Sequence, residues 1–304
     1  MKTFNILTDA NRRVVRDLET ATDPHFSQEL HSITAGEGKP TILVHGLAAS
    51  LHDWEVLVPE LASYGYQPFA VDLFGHGDSP KPEQPGLYSI STLYKTLETW
   101  IENLPTEPPF LLVGHSLGGH LCMQYGIHHP EKVRCMVLID PLFCPKQLSP
   151  LLRLLNRRPR VGVRALQAVP LKVIDTLLGW DPINAAQFSP QARWQIAFDY
   201  KRASPYILNI PRTIPDLNAQ LHRINIPTLI IWGNKDRTLD SASFSNLVER
   251  LPNAAGHLIH DCGHQPHIGK PVLVNRVILD FLKSHSEQPL PAPVDAVDAS
   301  YPMG

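Results

Sequence analysis

What this chain has little of narrows it first. Cysteine is rare, at 4 of 304 residues. Cys122, Cys135, Cys144 and Cys262 show no Cys-x-x-Cys spacing and sit in apolar or helical surroundings, so they are expected as reduced packing residues, with a single bridging pair left open. An excess of one charge is also missing: 27 Lys+Arg against 29 Asp+Glu give a net charge of -2, and no overall positive field points to nucleic acid. No apolar run approaches the roughly 18 to 20 residues that span a bilayer; the longest, such as Cys135 to Asp140, have the length of a strand. Asp9, Arg12, Arg13, Arg16, Asp17 and Glu19 interrupt the first twenty residues, which therefore do not read as a secretory leader, and the cytoplasm is the expected compartment. What is abundant is core material: the chain is 43% hydrophobic with 5 Trp, 8 Tyr and 10 Phe, which excludes wholesale disorder.

From Lys39 the hydrophobic pattern becomes regular. The run Thr41 to Val44 ends at His45-Gly46, and Asp53 to Ser63 carries Trp54, Leu57, Val58 and Leu61 at helical spacing. The alternation continues with a strand over 67–71, a helix near 89–104, a strand over 110–113, a helix over 117–128 and a strand over 133–139. Strands alternating with helices predict a parallel sheet covered on both faces. Between Leu142 and His222 the strand signal stops, and helical patterns at 148–156, 163–178 and 192–201 replace it. The sheet resumes with a strand over 227–232, a helix near 241–251, a short strand around 256–260 and a last helix over 271–284. The expected organisation is an unassigned segment 1–24, a core of 25–141 and 223–284, a helical insertion over 142–222, and a tail over 285–304 that is too poor in bulky apolar residues to fold.

Gly114-His115-Ser116-Leu117-Gly118 lies where a strand gives way to a helix, the context in which a G-x-S-x-G turn presents its serine outward. Glycines around the serine relieve the crowding of such a sharp turn. A serine hydroxyl needs a base and a group to orient that base. His264, after the last predicted strand, suits the base, and Asp236, after the strand ending at Trp232, suits the orienting acid, in the order Ser, Asp, His. Asp140, at the end of the preceding strand, is the rival acid. Developing charge on a carbonyl oxygen needs donors, which the backbone N–H groups of Leu47 and Leu117 supply. The histidines at 257, 260, 264 and 267 have Asp261 as their only nearby carboxylate and no helical His-x-x-x-His repeat, so neither a metal nor a cofactor enters this reading. Asp72 and the glycines of Asp72-Leu73-Phe74-Gly75-His76-Gly77 read as loop-building.

These motifs, from His45-Gly46 through Asp72-x-x-Gly75-x-Gly77-x-Ser79, the serine turn and Gly233-x-x-Asp236 to Gly263-His264, resemble the α/β-hydrolase superfamily in its serine-nucleophile branch with a helical cap, over about Lys39 to Ser284. The resemblance implies a mostly parallel central sheet with helices on both faces, a pocket between sheet and cap, and Ser116, Asp236 and His264 as triad. Serine at the turn is unlike the haloalkane dehalogenase and epoxide hydrolase branches, which carry aspartate there. Carbon-carbon hydrolases of aromatic-ring degradation typically have Trp after the catalytic His, where this chain has Gln265. The elbow also differs from that of proline iminopeptidases. The implied activity is hydrolysis of small-molecule or lipid carboxylic esters. The alternatives are a carbon-carbon hydrolase, an acyltransferase, or a receptor that keeps the pocket without turnover.

The charge balance hides an asymmetry. Residues 142–222 hold 11 basic and 4 acidic side chains, +7, which leaves 16 and 25, or -9, for the rest. Leu151, Leu152, Leu154 and Leu155 beside Arg153, Arg157 and Arg158 have two readings: a stripe packed on the sheet domain under a solvated basic face, or peripheral contact with an anionic membrane.

Overall fold

A computed structural model describes residues 29–150, 168–285 and the single residues 153 and 287. The segment 1–24, nearly all of the tail, Arg157 and Arg158, and most of the helical patterns at 148–156 and 163–170 lie outside the described residues.

Seven strands form one sheet in the order β1-β3-β2-β4-β5-β6-β7. They are β1 Ser32–Thr34, β2 Lys39–Val44, β3 Tyr66–Val71, β4 Phe110–His115, β5 Val133–Ile139, β6 Thr228–Gly233 and β7 Ala254–Ile259. All neighbours are parallel except β1, which runs antiparallel to β3. The pattern predicts the other six strands but not β1. It has only three residues, and it is held by pairing Ser32, Ile33 and Thr34 with Val71, Ala70 and Phe69.

Among the described residues the helices include α1 Leu57–Ser63, α2 Ile90–Glu102, α3 Leu117–His128, α4 Leu171–Trp180, α5 Pro182–Gln187, α6 Pro190–Arg202, α7 Ser243–Arg250, α8 Pro266–Gly269 and α9 Pro271–His285. The helix predicted over 53–63 is divided. Ser50 caps a 3-10 turn at Leu51–Trp54 by accepting from His52 N–H, and α1 starts only at Leu57. The break turns Asp53 and Trp54 inward, where both are buried.

Two apolar layers sandwich the sheet. One joins α2 and α3 to the sheet through residues such as Leu93, Leu97, Leu121 and Tyr125. The other joins α1 and α9 through Leu57, Leu61, Val274 and Ile278. The middle strands are apolar on both faces: every residue of β4 and of β6 is buried. Such continuous burial is what a parallel sheet covered on both sides demands. No helix among the described residues is long and apolar enough to cross a membrane.

The stretch between β5 and β6 carries α4, α5 and α6. Its two ends meet at its base, where Leu217 N–H donates to Phe143 C=O at 2.9 Å. The same base is tied to the loop after β6: Ser149 N–H donates to Thr238 C=O and Asp240 N–H to Gln147 C=O.

Candidate active site

The parallel arrangement places the carboxyl ends of β2, β4, β6 and β7 along one edge, and the predicted residues follow those ends. Ser116 stands between β4 and α3 with φ 52° and ψ -112°. That conformation is strained for a side chain with a Cβ and is fixed from both sides: Ser116 N–H donates to Ile139 C=O at 2.9 Å, and Leu142 N–H to Ser116 C=O at 3.0 Å. The turn closes because Gly118 has no side chain; a Cβ there would lie 2.1 Å from the Val44 carbonyl oxygen. Leu117 opens α3, so its N–H is among the first-turn donors without an intrahelical acceptor.

The three distant residues converge. His264 Nε2 lies 3.0 Å from Ser116 Oγ. His264 Nδ1 lies 2.7 Å from Asp236 Oδ2. The other oxygen of Asp236 accepts from the N–H groups of Thr238 and Leu239 at 2.8 and 3.0 Å, which fixes the carboxylate. An acid held this way sets the tautomer of His264, with Nδ1 protonated and Nε2 free to accept the serine proton.

Asp140 is close by but differently engaged. It is fully buried, with φ 41° at the end of β5, and its Oδ1 accepts from Gly233 N–H at 2.9 Å. Among the described residues no hydrogen bond joins it to His264. Burial, and then the neighbouring Asp236 charge, raise its pKa well above the usual carboxylate range. The carboxyl of Asp140 is therefore biased toward its protonated form beside Asp236.

The loop after β2 lies directly over the nucleophile. A Cβ on Gly46 would meet His115 Nδ1 at 2.8 Å and the Ser116 Cβ at 3.2 Å, so only glycine permits this approach, which carries Leu47 to the serine. His45 organises the loop: its Nδ1 donates to Gly46 C=O at 2.7 Å and its Nε2 accepts from Leu73 N–H at 3.0 Å. Asp72 supports it from below, accepting from Leu51 N–H and Asp78 N–H at 2.8 Å each and from His31 Nδ1 at 3.0 Å. Burial alone would raise the Asp72 pKa, but the His31 contact, the nearby His45 ring and these amides hold it well below the usual range. The loop-building reading of Asp72 agrees with these contacts.

The helical stretch reaches the site at several points. Gln187 of α5 accepts from Gly263 N–H at 3.0 Å, next to His264. Asp199 of α6 faces His52 at 3.7 Å, and the Asp199 contact raises the His52 pKa. Arg202 pairs with Asp78 at 2.9 Å. A crevice of about 10 Å³ runs between Leu47, Ala48, Asp53, Ile196, Tyr200 and Gln265, the residue after His264.

Sequence reasoning missed a second group behind the triad, formed by Asp53, His115 and His267. His115 Nε2 donates to the His264 carbonyl at 2.8 Å and thereby holds the loop carrying the base. Its signal was its position immediately before the serine. Nothing local marks Asp53 or His267, which meet it only through the fold.

A family model described as alpha/beta hydrolase fold matches residues 39–271. The chain is 23% identical over 305 residues to bifunctional epoxide hydrolase 2 of Sus scrofa, covering 86% of this chain and 54% of that protein, so it spans about half the length of that relative. It is 27% identical over 289 residues to a 2-hydroxy-6-oxononadienedioate/2-hydroxy-6-oxononatrienedioate hydrolase of Paraburkholderia phymatum, covering 90% and 96% of the two chains. It is also 27% identical over 263 residues to monoacylglycerol lipase ABHD6 of Bos taurus, covering 81% and 76%. Among solved structures, a thermophilic esterase from Thermogutta terrifontis superposes with a TM-score of 0.71 at 21% identity, covering 84% of this chain and 94% of that one.

Proposed function

The chain belongs to the alpha/beta hydrolase fold family, and from that premise we propose that it is a serine hydrolase of carboxylic esters. One observation carries the reading: Ser116 Oγ, His264 and Asp236 form an unbroken chain of contacts of 3.0 and 2.7 Å at the carboxyl edge of the sheet. In this mechanism Ser116 attacks the ester carbonyl while His264 Nε2 takes its proton. The amides of Leu47 and Leu117 receive the oxyanion, and His264 returns the proton to the departing alkoxide. Water activated by the same imidazole then releases the acid from the acyl-enzyme. The residues between 142 and 222 act as a cap over the acyl site, which the contacts of Gln187, Asp199 and Arg202 with the core support.

The identity to a carbon-carbon hydrolase favours a second reading with the same triad. Gln265, in place of the Trp that the sequence resemblance associates with that branch, weighs against it. A fluorophosphonate probe together with p-nitrophenyl esters of increasing acyl length tests the proposal. The expected result is stoichiometric labelling at Ser116, lost in Ser116→Ala, with ester turnover reduced about a million-fold in that variant. Labelling at another residue, or full turnover without Ser116, overturns it. Cleavage of a vinylogous diketone in preference to every ester selects the second reading.

A further inference from the structure

We propose that Asp53, His115 and His267 form a buried site for one divalent ion of zinc-like chemistry, separate from the triad. Asp53 Oδ2 lies 3.8 Å from His115 Nδ1 and 3.5 Å from His267 Nε2, and one ligating atom from each residue lies within 4.8 Å of the others. The three side chains are 4%, 3% and 1% exposed. Asp53 Oδ2, His115 Nδ1 and both ring nitrogens of His267 have no hydrogen-bond partner. Buried groups left unpaired are destabilising, and three of these, Asp53 Oδ2, His115 Nδ1 and His267 Nε2, converge on one spot.

Proton accounting sharpens this. The His264 carbonyl can only accept, so the 2.8 Å contact puts a proton on His115 Nε2, and the neutral ring presents a bare lone pair at Nδ1. That lone pair faces a carboxylate oxygen 3.8 Å away, acceptor against acceptor. A proton on His267 Nε2 serves the carboxylate and leaves His115 Nδ1 bare. A cation between the three satisfies all of them.

The spacing suits an ion. Two ligands each about 2.0 to 2.1 Å from zinc are at most about 4.2 Å apart, and about 3.4 Å apart in a tetrahedral site. The two Asp53 contacts, at 3.5 and 3.8 Å, fall inside that reach, and the two imidazole nitrogens lie within 4.8 Å of each other. Two imidazoles and one carboxylate favour a borderline transition ion over magnesium or calcium. The outer shell is in place for His115, whose Nε2–H sits on a backbone carbonyl, and Trp54 stacks on the His267 ring at 5.0 Å. Asp53 also lines the crevice of about 10 Å³, the room of roughly one water. Each ligand neighbours a working part of the candidate active site: Asp53 follows the loop of Leu47, His115 precedes Ser116, and His267 follows His264. An ion here would staple the three together.

The test is metal binding by the full chain after chelator treatment and dialysis, and it does not depend on turnover. Titration with Co(II) should give visible ligand-field absorption that saturates at one equivalent and is displaced by Zn(II), and Zn(II) should raise the unfolding temperature. Asp53→Asn and His267→Gln should each abolish the band while far-UV dichroism is kept; if Asp53→Asn fails to fold, His267→Gln decides alone. Variants at the other ligand clusters, His31→Asn, Asp236→Asn and the His257→Gln, His260→Gln pair, should retain it. Absence of a saturable band, or a band that survives in folded His267→Gln, overturns the proposal and leaves trapped water as the occupant.

Discussion

The turn at Ser116 and the helices between β5 and β6 are packed in opposite ways. Ten of the twelve residues of α3 are buried, and the glycines around the serine leave no room even for a methyl group. Helix α4 has no buried residue; Val173, Leu177 and Trp180 are exposed along one side of it, Trp180 at 76%. Trp194 and Phe198 of α6 are exposed as well. Chemistry that depends on contacts of 3.0 and 2.7 Å is mounted where the backbone cannot move. Apolar surface free to meet a substrate or lipid lies where packing is loose. Substitutions in the first region should therefore cost rate or stability steeply, and those in the second should cost little of either.

The largest effect that probes this contrast lies in the acid pair. Asp236→Asn should lower turnover by up to about ten-thousand-fold, because the amide favours the wrong His264 tautomer. Asp140→Asn should stay within about tenfold. The amide oxygen can keep the Gly233 bond and its NH₂ can face Asp236, as the protonated acid does. Steady-state kinetics on both variants checks the ranking, and the reverse order would move the orienting role to Asp140.

Next comes Gly118→Ala. A Cβ 2.1 Å from the Val44 carbonyl forces α3 away from β2. The expected loss is about 1 to 3 kcal/mol in urea unfolding, with about a hundred-fold loss of turnover as the serine shifts. Retention of both properties would show the turn to be softer than its packing suggests.

Acid should act on the tight region too. Burial lowers His76 to about 3 and His120 to about 4, from an unperturbed 6.5. The unfolded chain therefore binds protons that the folded chain refuses, and stability falls as pH drops from 6.5 toward about 4. The slope is about 1.4 kcal/mol per pH unit for each histidine. Urea midpoints across that window measure it, and a flat profile would contradict the neutral assignment.

The smallest effect belongs to the loose region. Trp180→Ser should leave unfolding within about 0.5 kcal/mol of the parent chain, and should weaken co-sedimentation with anionic vesicles if the exposed helix faces touch lipid. A large loss of stability would mean that this face is covered.

The sequence made the repeating frame legible because buried parallel strands are continuous apolar runs, and five strands are readable that way, while β7, at the edge and mostly exposed, shows only as a short run around 256–260. It made Ser116, Asp236 and His264 legible because each follows a strand end in a recognisable local pattern. β1 was not legible: three residues carry no period, and their pairing with β3 is a product of the fold. The halves of the acid pair could be named, with Asp236 preferred and Asp140 the rival, although loops after β5 and β6 reach the same place. What separates them is Asp140's hydrogen bond from Gly233, a contact between strands. Asp53 was invisible for the same kind of reason, and His267, though seen among the histidines near His264, could not be matched to its partners Asp53 and His115 because they meet only in the fold.

The hydrogen bond from Leu217 to Phe143 has a consequence for how such chains diversify. The chain leaves the frame at one of those residues and returns at the other, so the length of what lies between can change with little movement of the strands, although Gln187, Asp199 and Arg202 also touch the core. The entropy of closing a flexible loop rises only about 0.6 kcal/mol for each doubling of length. Selection is thus free to extend, trim or exchange the intervening helices. Lineages sharing the same catalytic frame can then drift apart in what they admit while inheriting intact the distances that make and break bonds.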